Sequence, residues 1–155
     1  MNIYLLLKTL HILSATLLFG TGLGSAYYLW RAHLSGHIAS IALTARHVVF
    51  ADWLFTATTV IAQPLTGFLM VWYAGYSLNS LWIWLSLVLY VVAGICWLPV
   101  VWIQIRVQGL VTLAWQNNTE LPAEYYRLMW LWFSLGIPAF VSMVGVFFLM
   151  VFKPL

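Results

Sequence analysis

The chain has 155 residues, 65% of them hydrophobic and 6% charged, with a mean hydropathy of +0.99. These values exclude an ordinary soluble globular domain and fit one integral membrane domain. Six Lys and Arg against three Asp and Glu give a formal charge of +3 without any basic cluster, so nucleic acid is not an expected partner, and the single Cys96 excludes an internal disulfide and argues against a thiolate metal site.

Four apolar spans follow in chain order, at about 3–30, 47–73, 81–106 and 125–152, so the expected fold is all-α, a single four-helix transmembrane bundle over 1–155. In the first span, Tyr4, Lys8, His11, Ser14 and Ser25 share a face. The Gly20–Gly24 stretch reads as small residues that let a neighbouring helix approach closely. Ser35-Gly36 reads as the first turn, with the second helix starting near His37. Pro64, Pro99 and Pro138 each lie inside a span and should kink it. Span three has a more polar face of Ser86, Tyr90, Trp97 and Gln104, and Pro122 fits the start of the last helix. Gly136 and Gly145 in span four read as close-packing positions. Arg31, Arg46, Arg106 and Arg127 flank the two longer connections, whereas Lys8 and Lys153 lie near the termini. The positive-inside rule then places both termini in the periplasm of a bacterial inner membrane.

Span two organises the rest. Asp52, Thr56, Thr59, Gln63 and Thr66 follow the spacing i, i+4, i+7, i+11, i+14 and so share one helix face. That stripe is roughly 21 Å long at 1.5 Å per residue. It cannot face lipid, where an unpaired polar group costs several kcal/mol. Two interpretations stand for Asp52. In one it is locked in an ion-pair cluster with Arg46, Arg106 and Arg127; in the other it starts a proton route continued by Thr56, Thr59 and Gln63.

His11 is the sharpest single residue, because an intramembrane histidine suggests function by default and a neutral imidazole is the usual haem ligand. The plainer interpretation is an interhelical hydrogen bond to Tyr90 or a serine. Tyr90, Met70 and Met150 fall at a similar depth and are candidates for a second axial group. His47 sits at the mouth of span two and reads as solvated; His33 and His37 read as surface residues.

The segments LLLKTLHILSATLLFGTGLG, TARHVVFADWLF, QPLTGF and CWLPVVWIQIR resemble a bacterial family of predicted integral membrane proteins, domain-of-unknown-function family 2269. The layout is also remotely similar to copper-resistance D proteins and to HemJ-type protoporphyrinogen oxidases. The latter resemblance implies b-type haem at the position of His11. Those oxidases carry a histidine and a lysine in the third helix, and span three here has neither. Two functional expectations follow. The first is a haem-binding redox or proton/quinone protein; the second is a cofactor-free membrane subunit, carrier or assembly factor. Whether the chain is an enzyme stays open. The lipid bilayer is the expected surrounding, with a homo-oligomer or a membrane partner subunit as the expected protein contact.

Overall fold

The computed structural model describes residues 2–154 and contains four long apolar helices packed together. They are α1 (Ile3–Ser35), α2 (Ile38–Ala74), α3 (Leu81–Asn117) and α4 (Ala123–Phe152). The run is up-down-up-down. One end carries both termini and the turn between α2 and α3, and is called the termini end below. The other carries the α1–α2 and α3–α4 connections and is called the loop end. Local chemistry sets the boundaries: the Asn2 side chain accepts from the Tyr4 N–H, and the chain reverses at Gly36 (φ +68°) and Gly75 (φ +66°), where a side chain would be strained.

The hydrophobic core is not spread along the bundle. Leu29, Ile41, Val48, Val107, Val111 and Tyr125 belong to one buried cluster at the loop end. Arg31, Arg46, Arg106 and Arg127 all lie at that end and are exposed. Water there drives apolar side chains together, whereas in lipid apolar side chains gain little by leaving the hydrocarbon. The lipid-level surface is correspondingly apolar: Ile61, Leu65, Trp84, Val91, Ile95 and Ile137 are all outward-facing. Packing between α3 and α4 is close at Gly145, where an added Cβ would meet Leu89 Cδ1 at 2.9 Å. Expectation and structure part company at Gly20, Gly22, Gly24 and Gly136. A Cβ at any of them would meet nothing within 4 Å, so these glycines leave space beside the helix instead of admitting a neighbour.

Helix α2 is not one regular α-helix. Asp52–Thr56 forms a π turn, closed by the Ala57 N–H donating to the Asp52 carbonyl. The wide turn takes up one extra residue, which rotates the two halves of α2 against each other by about one residue's turn, ~100°. Before the turn α2 packs mainly on α3; after it, Ala57–Ala74 packs on α1 and its backbone draws away from α3.

Pro64 adds a second irregularity. Lacking an N–H, it cannot donate to the carbonyl four residues earlier, that of Val60. The Tyr90 hydroxyl, from α3, donates to the Val60 carbonyl at 2.6 Å and replaces the lost bond. Tyr90→Phe should therefore lower stability by about 1–3 kcal/mol, the usual cost of stranding a buried polar group. The loss should shrink in a Pro64→Ala background, where an amide at position 64 can serve Val60 again. Thermal unfolding of the four proteins in detergent, read as a double-mutant cycle, checks this.

Candidate functional site

Every residue of the α2 stripe turns inward: Asp52, Thr56, Thr59 and Gln63 are buried and Thr66 is half-buried. The structure nevertheless splits the stripe into two separate clusters, because the π turn sends its first part toward α3 and its last part toward α1.

The termini-end cluster joins α1 to α2. The Gln63 side-chain amide donates to the His11 carbonyl at 2.9 Å and to Ser14 Oγ at 2.5 Å. His11 Nδ1 lies 2.8 Å from Thr66 Oγ1. The Thr66 hydroxyl has one proton, and that proton goes to the Ala62 carbonyl at 2.6 Å. Thr66 can then only accept from the imidazole, which puts the proton of the neutral ring on Nδ1. The lone pair is left on Nε2, which has no hydrogen-bond partner among the described residues. Gly67 lies against the ring: a Cβ there would be in contact, 3.4 Å from His11 Cε1.

The loop-end cluster joins α2 to α3. Thr56 donates to Asp52 Oδ1 at 2.9 Å, and Gln104 and Trp97 face the same carboxyl. Asp52 is only 6% exposed and Gln104 4%. A cavity of about 20 Å³ lies here, lined by Asp52, Trp53, Trp97 and Gln104 among others. The Trp97 Nε1–H is buried and has no acceptor within hydrogen-bond geometry among the described residues.

The arginine cluster expected around Asp52 does not assemble. Arg106 pairs instead with Glu124 at the start of α4, 2.8 Å from Nε to Oε1, and this is the one ion pair among the described residues. Arg46, Arg106 and Arg127 are all exposed, since a short carboxylate inside the α2–α3 seam cannot reach side chains that point out to solvent. The proton route is also interrupted. Thr59 gives its hydroxyl proton to its own helix, to the Phe55 carbonyl at 2.6 Å, so no direct hydrogen bond links Asp52 and Thr56 to Gln63. Tyr90 gives its hydroxyl proton to the Val60 carbonyl, so that proton is not available to a second partner.

One histidine departs from its expected surroundings and another keeps to them. His33 is half-buried, with Nδ1 2.8 Å from the Tyr125 hydroxyl and its ring packed near Trp30, Tyr125 and Tyr126. It thus pins the end of α1 to the start of α4. His47 is exposed, as expected, but it lines a lateral groove of about 420 Å³ between α1 and α2, together with Thr21, Gly24, Ser25, Thr44 and Phe55. No group of three or more His, Cys, Asp or Glu suited to a metal ion occurs among the described residues.

A family model described as "Predicted integral membrane protein (DUF2269)" matches residues 5–154, almost the whole chain. The chain belongs to that family. It is a multi-pass integral membrane protein and sits in a lipid bilayer. No curated protein and no solved structure matches this DUF2269 chain.

The hydrogen-bond logic at His11 has a direct check. ¹⁵N NMR of histidine-labelled protein should show His11 as the neutral tautomer with its proton on Nδ1. Thr66→Val, which removes the acceptor, should shift the ring toward the Nε2–H form; an unchanged spectrum would contradict the assignment.

Proposed function

We propose that the chain is a small redox protein that binds a b-type haem through His11. The observation that supports this is the state of the imidazole: Nδ1 is tied to Thr66 and the Nε2 lone pair has no hydrogen-bond partner among the described residues. Ligating histidines typically donate their other ring N–H to an oxygen in this way, which fixes the tautomer and orients the ring. The donor chemistry at His11 would thus suit it to hold a haem iron through Nε2. Tyr90, whose hydroxyl proton is given to the Val60 carbonyl, would not share that role. Met70 continues the Gln63–Thr66 face by one turn and offers a thioether, a known haem ligand.

When bound, the haem supplies one-electron chemistry. The chain's own residues hold its ligand. Thr66 retains the Nδ1 proton, and Gln63 and Ser14 fix the α1 backbone at His11. In this proposal the protein lies in a bacterial inner membrane with both termini periplasmic. The supporting feature is the four arginines at the loop end against Lys8 and Lys153 at the other.

A second interpretation has its own support. Gln63, Ser14 and Thr66 direct their hydrogen bonds to fastening α1 on α2, which is what a cofactor-free membrane subunit, carrier or assembly factor would need. Absorption spectra of the detergent-purified protein separate the two. Haem binding requires a Soret band, with sharp bands on dithionite reduction, and their loss in His11→Ala. Colourless protein from haem-replete cells would remove the redox proposal and leave the second.

A further inference from the structure

We infer that the pocket at Asp52 is a one-water proton-binding site, open to exchange from one side of the bundle and not connected through it. The loop-end cluster alone carries this inference, independently of His11.

Room comes first. The cavity volume of about 20 Å³ exceeds the roughly 10–15 Å³ that one water needs, and would not admit a second or an organic molecule. Polar demand comes next. Trp97 Nε1–H is buried and faces the Asp52 carboxyl without making a direct hydrogen bond to any acceptor among the described residues, and a donor left so at such a depth is costly. Among the described residues only Thr56 donates to the Asp52 carboxyl with good geometry, and only to Oδ1. A water between Trp97, Gln104 and the other carboxyl oxygen would accept from the indole and donate to the carboxyl. That supplies the two or more polar partners a buried water requires.

The same donors choose the occupant. A metal cation would face the positive end of the Trp97 N–H dipole, and the pocket offers one carboxyl and one amide instead of the six or more oxygens a hard cation collects. Water does not meet that conflict. Nor does any charged side chain among the described residues pair with the carboxyl. On α2 the nearest ionisable groups, Arg46 and His47, are exposed at the loop end; on α3, Arg106 is turned to Glu124. On α1 the stretch beside the π turn carries Thr21, Ser25 and Tyr28, which line the separate groove next to Ala51 and Phe55. An unpaired carboxylate in this setting is expensive and its neutral form is not, so Asp52 is suited to gaining and losing a proton. The step is simple: hydronium reaching the pocket gives its proton to the carboxylate, leaving a carboxyl group and the bound water. The π turn belongs to the same picture, since such turns recur at functional sites. Thr59, bonded to its own helix, ends the polar path, so the proton returns the way it came.

Attenuated-total-reflection infrared spectroscopy of the full chain in lipid films, titrated with pH in H₂O and D₂O, tests the proposal. A carboxylic C=O band that grows as pH falls, moves in D₂O and vanishes in Asp52→Asn is the expected result. Trp97→Phe should keep the band but shift its frequency, because the bridging water loses a donor. A band absent at every pH, or present but insensitive to pH and D₂O, overturns the proposal, and so does an unshifted band in Trp97→Phe. Proteoliposomes under a pH gradient give the final arm: no proton flux above that of empty liposomes is expected, and a flux lost in Asp52→Asn would overturn the one-sided assignment. Should Asp52→Asn fail to fold, Trp97→Phe and the D₂O response of the unaltered protein still decide the outcome.

Discussion

Pro64 leaves the Val60 carbonyl without its helical donor, and a bilayer has no water to offer in exchange. A great deal of the termini-end half of the bundle follows from how such groups find partners. Tyr90 crosses from α3 to serve Val60, which holds α3 beside a helix whose backbone otherwise draws away from it. Gln63 crosses to the α1 backbone at His11 and to Ser14. The threonines take the local solution: Thr58, Thr59 and Thr66 return their protons to carbonyls of their own helix. His11 receives the acceptor that this leaves on Thr66, so its tautomer is a consequence of the same constraint.

The loop-end half obeys different physics. There the helices reach the level of the exposed arginines, and burying Leu29, Ile41, Val107 and Val111 against one another removes apolar surface from water. Tyr125 is completely buried in this core, yet its hydroxyl is satisfied by His33. The bundle is therefore a packed apolar head joined to a lipid-level section held by specific polar contacts. Asp52 lies between the two regimes, six residues or roughly 9 Å further along α2 than Arg46.

The four spans, their order, the turn at Gly36 and the inward polar stripe were all legible in the sequence, because hydropathy and helical periodicity are local properties. The inward set Ser86, Tyr90, Trp97 and Gln104 was legible for the same reason. What local pattern could not carry was the choice between partners. Arg106 had two carboxylates within plausible reach, and only the packing of α3 on α4 sets Glu124 beside it and turns it from Asp52. Helical spacing assumed 3.6 residues per turn throughout α2, so a straight stripe was expected where the π turn makes two clusters. Glycines likewise mark that a neighbour could approach, not that one does; Gly145 has Leu89 against it and Gly22 has nothing. His33 was out of sight because its partner, Tyr125, lies 92 residues away.

Separation of the two clusters limits what each can do for the other. Asp52 and Thr66 are fourteen residues apart, roughly 21 Å along α2 at 1.5 Å per residue. A unit charge at one would act on a unit charge at the other with about 0.8 kcal/mol at an effective dielectric constant of ~20. That is less than the 1.4 kcal/mol of a tenfold change in an equilibrium constant, and no hydrogen-bonded path adds to it, since Thr59 interrupts the stripe. Protonation of Asp52 is therefore too weak a lever to set the state of the His11 imidazole. Thr66, one hydrogen bond away from the imidazole, is the stronger one. The α2 helix thus carries two polar clusters, and the roughly 21 Å between Asp52 and Thr66, with Thr59 bonded to its own helix between them, leaves the two nearly independent in energy.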